Sequence, residues 1–169
     1  MASPPAARRP LRLLAVLALA ALLPACRPSP GPPAAPLPDF RLAALDGGQL
    51  GPADLRGQVV VWDFWATWCG PCQIQAEILH DLWPGASGRG VRFVAVSVGE
   101  PEGVVRDFVR EHPYPYPVLV DPEDHVSEQL RILGLPTLVV VDREGRVVFR
   151  TTGIVDRDAL ARVLERAGA

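Results

Sequence analysis

Two cysteines separated by two residues, Cys69 and Cys72, are the part of this 169-residue chain best suited to chemistry. A Cys-x-x-Cys pair can be a redox couple, half of a zinc site, or two structural thiols. A structural zinc site needs four ligands. The remaining candidates are Cys26 and the histidines His80, His112 and His125, scattered with no paired spacing. Each histidine reads as a solvated or capping residue, and neither a metal nor a cofactor is expected. The redox reading rests on placement. Cys69 follows an apolar run over residues 58–64 and precedes a stretch of helical periodicity. At the first turn of a helix, unpaired backbone N–H groups and the helix dipole stabilise a thiolate and lower its pKa. Pro71 is tolerated there because its missing N–H would have had no partner. Cys69 is therefore expected to be the exposed nucleophile, and Cys72 the buried thiol that resolves the mixed disulfide.

Asp63 is the one charge in the apolar run, six residues before Cys69. A bare carboxylate there costs several kcal/mol in principle, so it must be neutral or paired. One reading is a strand-end Asp that bonds the backbone and nothing more. The other is a buried base of raised pKa that takes the proton of Cys72 as that sulfur attacks.

The elements that must position these groups follow from the pattern of the chain. Residues 40–44 and the segment after Asp46-Gly47-Gly48 predict a small hairpin, because Asp-Gly is a strong turn signal. The run 58–64 predicts a buried central strand. A helix follows over 71–83, with Ile74, Ile78 and Leu82 at helical spacing, and Pro84-Gly85 stops it. Next come a strand over 91–98, a helix over 102–111, the His112–Pro117 loop, a short strand over 118–120 and a helix over 124–133. Strands over 137–141 and 147–151 flank a turn at 142–145, and an amphipathic helix over 157–166 buries Leu160, Val163 and Leu164. Strands alternating with helices predict an α/β sandwich with a mixed sheet.

The chain's beginning reads differently. Arg8, Arg9 and Arg12 precede an unbroken apolar run of 11 residues, Leu13 to Leu23. Such a run is shorter than the about 20 residues that span a bilayer and fits the h-region of a signal peptide. Leu23-Pro24-Ala25-Cys26 resembles the lipobox of bacterial lipoproteins, with Pro24 an unusual middle residue; lipidation would explain an unpaired Cys in an exported chain. Residues 27–38 hold six prolines in 12 positions, which predicts an extended spacer of up to roughly 37 Å at about 3.1 Å per residue. The expected organisation is a lipoprotein-type signal peptide over 1–25, a lipidated Cys and proline-rich linker over 26–38, and one domain over 39–169. The net charge is −2, from 17 basic residues, every one Arg, and 19 acidic ones. With no clustered basic run, nucleic acid is excluded as a partner.

The segment Asp63-Phe64-Trp65-Ala66-Thr67-Trp68-Cys69-Gly70-Pro71-Cys72 resembles the active site of thioredoxins. From Asp39 onward the chain resembles their exported, membrane-tethered relatives, the TlpA/ResA-like disulfide reductases. Gly134-Leu135-Pro136-Thr137 is similar to the family's cis-proline loop. The resemblance implies a thioredoxin-like three-layer sandwich, a central mixed sheet flanked by helices, with an N-terminal β-hairpin extension. It implies that Trp68, Gly70 and Pro71 shape the active site, that Pro136 packs on the cysteine pair, and that the backbone of Leu135 pairs with an incoming peptide, as in strand addition. It also implies the partners: disulfide-bonded exported proteins as substrates and a DsbD- or CcdA-like membrane thiol donor of electrons. By this reading the protein is a monomer, lipid-anchored and facing the periplasm or cell exterior.

Four departures stand out. Gly70-Pro71 and Asp63 match thioredoxin rather than many tethered relatives. Glu77 replaces a proline that kinks the family's helix, which predicts a straighter one. Gln75 and Thr137 stand where relatives devoted to cytochrome c maturation carry Glu. Three rival classes need weighing. A peroxiredoxin-like thiol peroxidase would need a Pro-x-x-x-Thr-x-x-Cys pattern, but Thr67 lies two residues before Cys69, with no such proline. A copper-delivery protein would need cysteines three residues apart and a His. A DsbA-type oxidant typically has a His between its cysteines and a helical insertion.

Overall fold

The computed structural model describes Met1 and residues 35–168. The signal segment, Cys26 and the first part of the proline-rich linker lie outside the described residues. The elements run β1 (Leu42–Ala44), β2 (Gln49–Leu50), a 3-10 turn (Pro52–Leu55), β3 (Val59–Trp65), α1 (Gly70–Ser87), β4 (Val91–Val98), α2 (Glu102–Glu111), β5 (Val118–Asp121), α3 (His125–Gln129), β6 (Thr137–Val141), β7 (Val147–Thr152) and α4 (Arg157–Arg166).

The strands form one mixed sheet in the order β2-β1-β5-β4-β3-β6-β7. β3 runs parallel to β4, and β4 to β5, while the flanking pairs are antiparallel. All seven residues of β3 are buried, as its unbroken apolar run requires of a strand covered on both faces. Val59, Val61 and Trp65 join a core with Leu79 and Leu82 of α1, Val105 of α2 and Leu160 and Leu164 of α4. Val60, Trp62 and Phe64 face the other layer, with Phe40, Leu42, Val126 and Leu130. The result is a three-layer thioredoxin-like sandwich. The hairpin of β1 and β2 extends the sheet, because β1 pairs antiparallel with β5.

Three boundaries and the buried face of one helix differ from expectation. Helix α1 continues through Pro84 to Ser87. Ala86 in its last turn is buried in the core, and the carbonyls of Pro84 and Gly85 accept from Ser87 Oγ at 3.3 Å and Arg89 Nη1 at 2.8 Å. The buried face of α1 is Cys72, Gln75, Ala76, Leu79, Leu82 and Ala86; Ile74 lies outside it, 51 % exposed. Helix α3 has only five residues, because Asp124 and Arg131 at its two ends adopt left-handed backbone (φ 59° and 53°). Ala35 and Leu37, expected in the spacer, are bonded to the domain: Val147 N donates to Ala35 O and Leu37 N to Gly145 O, each at 2.9 Å. Pro36 between them has no donor to offer and needs none at this bridge.

Candidate active site

Cys69 caps the N-terminus of α1, and a disulfide joins it to Cys72. The Cys72 N–H points at Cys69 Sγ, 3.2 Å away. The same N–H also donates to Cys69 O at 3.0 Å, so this donor of the first helical turn is shared between the carbonyl and the sulfur. Pro71 falls within the first two helical positions. Gly70 and Pro71 are exposed, and a Cβ at Gly70 would meet no atom within 4 Å, so space does not demand glycine there. Cys69 is 5 % exposed and Cys72 1 %. Both sulfurs are therefore buried in the disulfide form, which corrects the expectation of an exposed Cys69.

Asp63 lies in the middle of β3, level with Ala95 of β4 and Leu138 of β6, and is 1 % exposed. Neither of its oxygens has a hydrogen-bond partner among the described residues. The backbone-bonding alternative raised by the sequence is therefore not what the structure shows. Burial pushes the Asp63 carboxyl up from 3.8 to about 7, since the desolvated charge has nothing to compensate it. Its odd-numbered neighbours Val61 and Trp65 belong to the same core as Cys69 and Cys72, so Asp63 points into the layer that holds the cysteine pair.

The peptide bond between Leu135 and Pro136 is cis. Pro136 is buried, and Leu135 packs against the core that includes both cysteines. No backbone hydrogen bond of Leu135 is formed among the described residues, which leaves its polar backbone available to an extended peptide. Thr137 holds this loop: its hydroxyl donates to Gly134 O at 2.7 Å and accepts from Thr152 Oγ1 at 2.8 Å. Exposed apolar side chains stand on all three segments of the site: Trp68 at 72 %, Ile74 at 51 % and Leu133 at 93 %.

Two residues gain roles that the sequence reading did not give them. Glu100, 5 % exposed, accepts from Thr67 N at 2.8 Å, from the Thr67 hydroxyl and from Ser97 Oγ at 3.2 Å. It fastens the segment before Cys69 to the end of β4. Gly99 precedes it at φ +70°, a conformation glycine adopts without strain. The available signal was topological, because loops after adjacent parallel strands meet at one end of the sheet. Gln75 is fully buried, and its Oε1 accepts from Val155 N at 2.7 Å, tying α1 to the loop before α4.

Comparisons with known proteins agree with this geometry. The AhpC/TSA family model matches residues 33–150. The thiol-disulfide oxidoreductase ResA of Geobacillus kaustophilus is 34% identical over 128 residues, which are 76% of this chain and 74% of that protein. The thiol:disulfide interchange protein DsbE of Chlorobium tepidum superposes with a TM-score of 0.76 at 29% identity, over 80% of this chain and 97% of the other. The exposed lipoprotein thioredoxin of Streptococcus pneumoniae gives 0.68 at 27% identity, over 76% and 99%. The chain belongs to the AhpC/TSA family of the thioredoxin superfamily, among the ResA-like thiol–disulfide oxidoreductases.

Proposed function

We propose that the protein reduces disulfides of exported proteins through Cys69, with Cys72 as the resolving thiol and Asp63 as its base. The observation that carries this reading is a Cys69–Cys72 pair at the start of α1 whose leading sulfur accepts a backbone N–H. The Cys69 thiolate attacks a substrate disulfide. A Cys69–substrate S–S bond forms, the substrate S–S bond breaks, and the departing sulfur takes a proton from solvent. Cys72 then gives its proton to the Asp63 carboxylate and attacks Cys69 Sγ. The Cys69–Cys72 bond forms and the second substrate sulfur leaves as a thiolate, so two electrons pass from dithiol to substrate. A carboxyl with a pKa of about 7 suits this work, because a base performs best when its pKa lies near the working pH.

The Leu135 backbone and the exposed Trp68 and Leu133 hold the substrate segment, and Pro136 packs beside the cysteine pair. A membrane dithiol of the DsbD or CcdA kind returns the protein to its reduced state, since the compartment is oxidising. Cys26 carries a lipid anchor, a reading supported by its lipobox-like setting and by the lipoprotein among the structural relatives. The direction of electron flow is tested by equilibration with glutathione buffers. A potential near that of thioredoxin, about −270 mV, is expected; one near the DsbA value of about −120 mV would make the protein an oxidant instead.

A further inference from the structure

The arginines of this chain are scattered in the sequence and gathered in the fold. Residues 35–168 hold 13 arginines against 19 acidic residues, a net charge of −6. Six of those arginines, Arg56, Arg89, Arg92, Arg143, Arg146 and Arg166, stand at the end of the sheet opposite the cysteine pair. At that end β3 and β4 start, level at Val59 and Val91, and β6 finishes, with Val141 level with Val60. Helix α1 runs 18 residues away from the cysteines, about 27 Å at about 1.5 Å per residue, and Arg89 follows its last turn.

Hydrogen bonds draw these segments into one surface. Gly57 N donates to Arg143 O at 2.9 Å, Arg143 Nη2 to Gly168 O beyond α4 at 2.9 Å, and Arg92 Nε to Gln58 Oε1 at 2.7 Å. All six arginines are exposed. Among the described residues Arg146 alone of the six is paired with carboxylates, those of Asp142 and Glu144. Arg89, Arg92 and Arg143 donate to carbonyl or amide oxygens, which leaves their charge uncompensated. Asp54, two residues before Arg56, is paired with Arg41 instead. Counting Glu165 beside Arg166, this pole carries six arginines against three acidic residues, and the rest of the domain seven against sixteen.

The chain enters the domain at this same pole. Val147 N donates to Ala35 O and Leu37 N to Gly145 O, on either side of Arg146. Cys26 stands nine residues before Ala35, a length that spans at most about 32 Å. A lipid on Cys26 therefore keeps the pole within reach of the headgroups, and docking from a tether needs little affinity because it is intramolecular. The cysteine end is different. Glu102 at the start of α2, Glu123 after β5 and Asp156 at the cap of α4 are exposed there, and an anionic surface repels them.

We propose that the arginine pole docks on the anionic headgroups of the membrane that holds the lipid anchor, turning the cysteine pair away from the lipid and toward proteins in solution. The inference rests on Cys26 carrying that anchor. A lipid surface is the occupant because the tether places it nearest. Guanidinium groups pair well with phosphate oxygens, and the negative surface attracts them within a Debye length, about 8 Å at physiological ionic strength. A contact made by charge is reversible, so a domain that lifts off can turn its cysteines to the membrane dithiol that reduces it.

The test adds the processed full chain to vesicles of phosphatidylcholine, alone or with about 30 % phosphatidylglycerol. Phenylglyoxal modifies accessible arginines, and peptide mass spectrometry reads the rate at each. Arg56, Arg89, Arg92 and Arg166 should react at least about 3-fold more slowly on the phosphatidylglycerol vesicles, and about 0.5 M salt should erase the difference. Arg131 and Arg157, at the cysteine end, should not change. Arg56 and Arg166 donate none of the hydrogen bonds above, so Arg56→Gln combined with Arg166→Gln keeps the fold. That variant should restore the reactivity of Arg89 and Arg92 while reducing a soluble disulfide at the wild-type rate. Equal arginine rates on the two kinds of vesicle would overturn the docking. So would protection by soluble polyglutamate with none from phosphatidylglycerol, which would assign the pole to an acidic protein. Flotation separates the pole from the anchor. A chain that floats with both kinds of vesicle is anchored; one that floats with phosphatidylglycerol vesicles alone keeps the pole and loses the anchor; one that floats with neither loses both.

Discussion

Two carboxylates are buried along the chain that leads to Cys69, Asp63 within β3 and Glu100 against Thr67, and the fold treats them in opposite ways. Glu100 receives three donors from Thr67 and Ser97. Asp63, more deeply buried, receives none. Removing a carboxylate from water is costly unless hydrogen bonds compensate for it. At Glu100 the cost is offset and the product is geometry, because the chain before Cys69 is held in place. At Asp63 the cost is left standing, and what remains is a group free to change its protonation. A buried charge with partners reads as a fastening; one without them reads as a reagent.

The strongest way to break this contrast is to remove the fastening. Glu100→Ala leaves the Thr67 N–H and the Thr67 and Ser97 hydroxyls without their acceptor. At about 1–3 kcal/mol for each donor left buried, urea unfolding should show a loss of about 3 kcal/mol or more. A loss under about 1 kcal/mol would mean that water replaces Glu100 and that the two carboxylates are not opposites.

Asp63 should reveal itself through pH. Its folded-state pKa, about 7, lies above its ordinary 3.8, so the folded protein holds this proton more tightly than the unfolded chain. Stability from this source is full below about pH 4, is lost as pH rises through about 7, and is constant above. Between pH 5 and 8 the loss should be nearly 3 kcal/mol, at about 1.36 kcal/mol per unit, and it should disappear in Asp63→Asn. An equal slope in that variant would place the effect elsewhere.

Thr137→Val gives the smallest effect. It removes the hydroxyl that links Gly134 and Thr152 across the cis-proline loop, at a cost of about 1 kcal/mol. Weaker capture of peptide disulfides with an unaltered redox potential would separate loop positioning from cysteine chemistry.

The contrast also explains what could be read from the sequence. The seven-residue run of β3 and the Cys-x-x-Cys after it announced themselves, because burial on both faces and a helix start each leave a local signature. Asp63 was visible for the same reason, as a charge out of place among apolar neighbours. Glu100 was not visible: its partner Thr67 lies 33 positions away, and only the pairing of β3 with β4 brings the two together. Periodicity alone chose Ile74 for the buried face of α1, whereas docking of the helix on the sheet selected Gln75, Ala76 and Leu79. His80 read as a solvated residue, and its contact with Tyr114 and Tyr116 depends on a loop that carries no helical or strand pattern. Pro84 suggested a helix end, but the burial of Ala86 carried α1 one turn further.

The central claim is that Asp63 is kept unpaired for chemistry at the expense of stability. Asp63→Asn tests it most directly, with unfolding free energy and single-turnover release measured side by side at pH 8. The variant keeps the shape and loses the charge. It should be more stable by about 1 kcal/mol or more, part of the gain being offset by a buried amide without partners. It should release the mixed disulfide about 10²-fold more slowly, with attack by Cys69 little changed. Lower stability with unchanged release would show that Asp63 is a fastening like Glu100, and the catalytic account would be wrong.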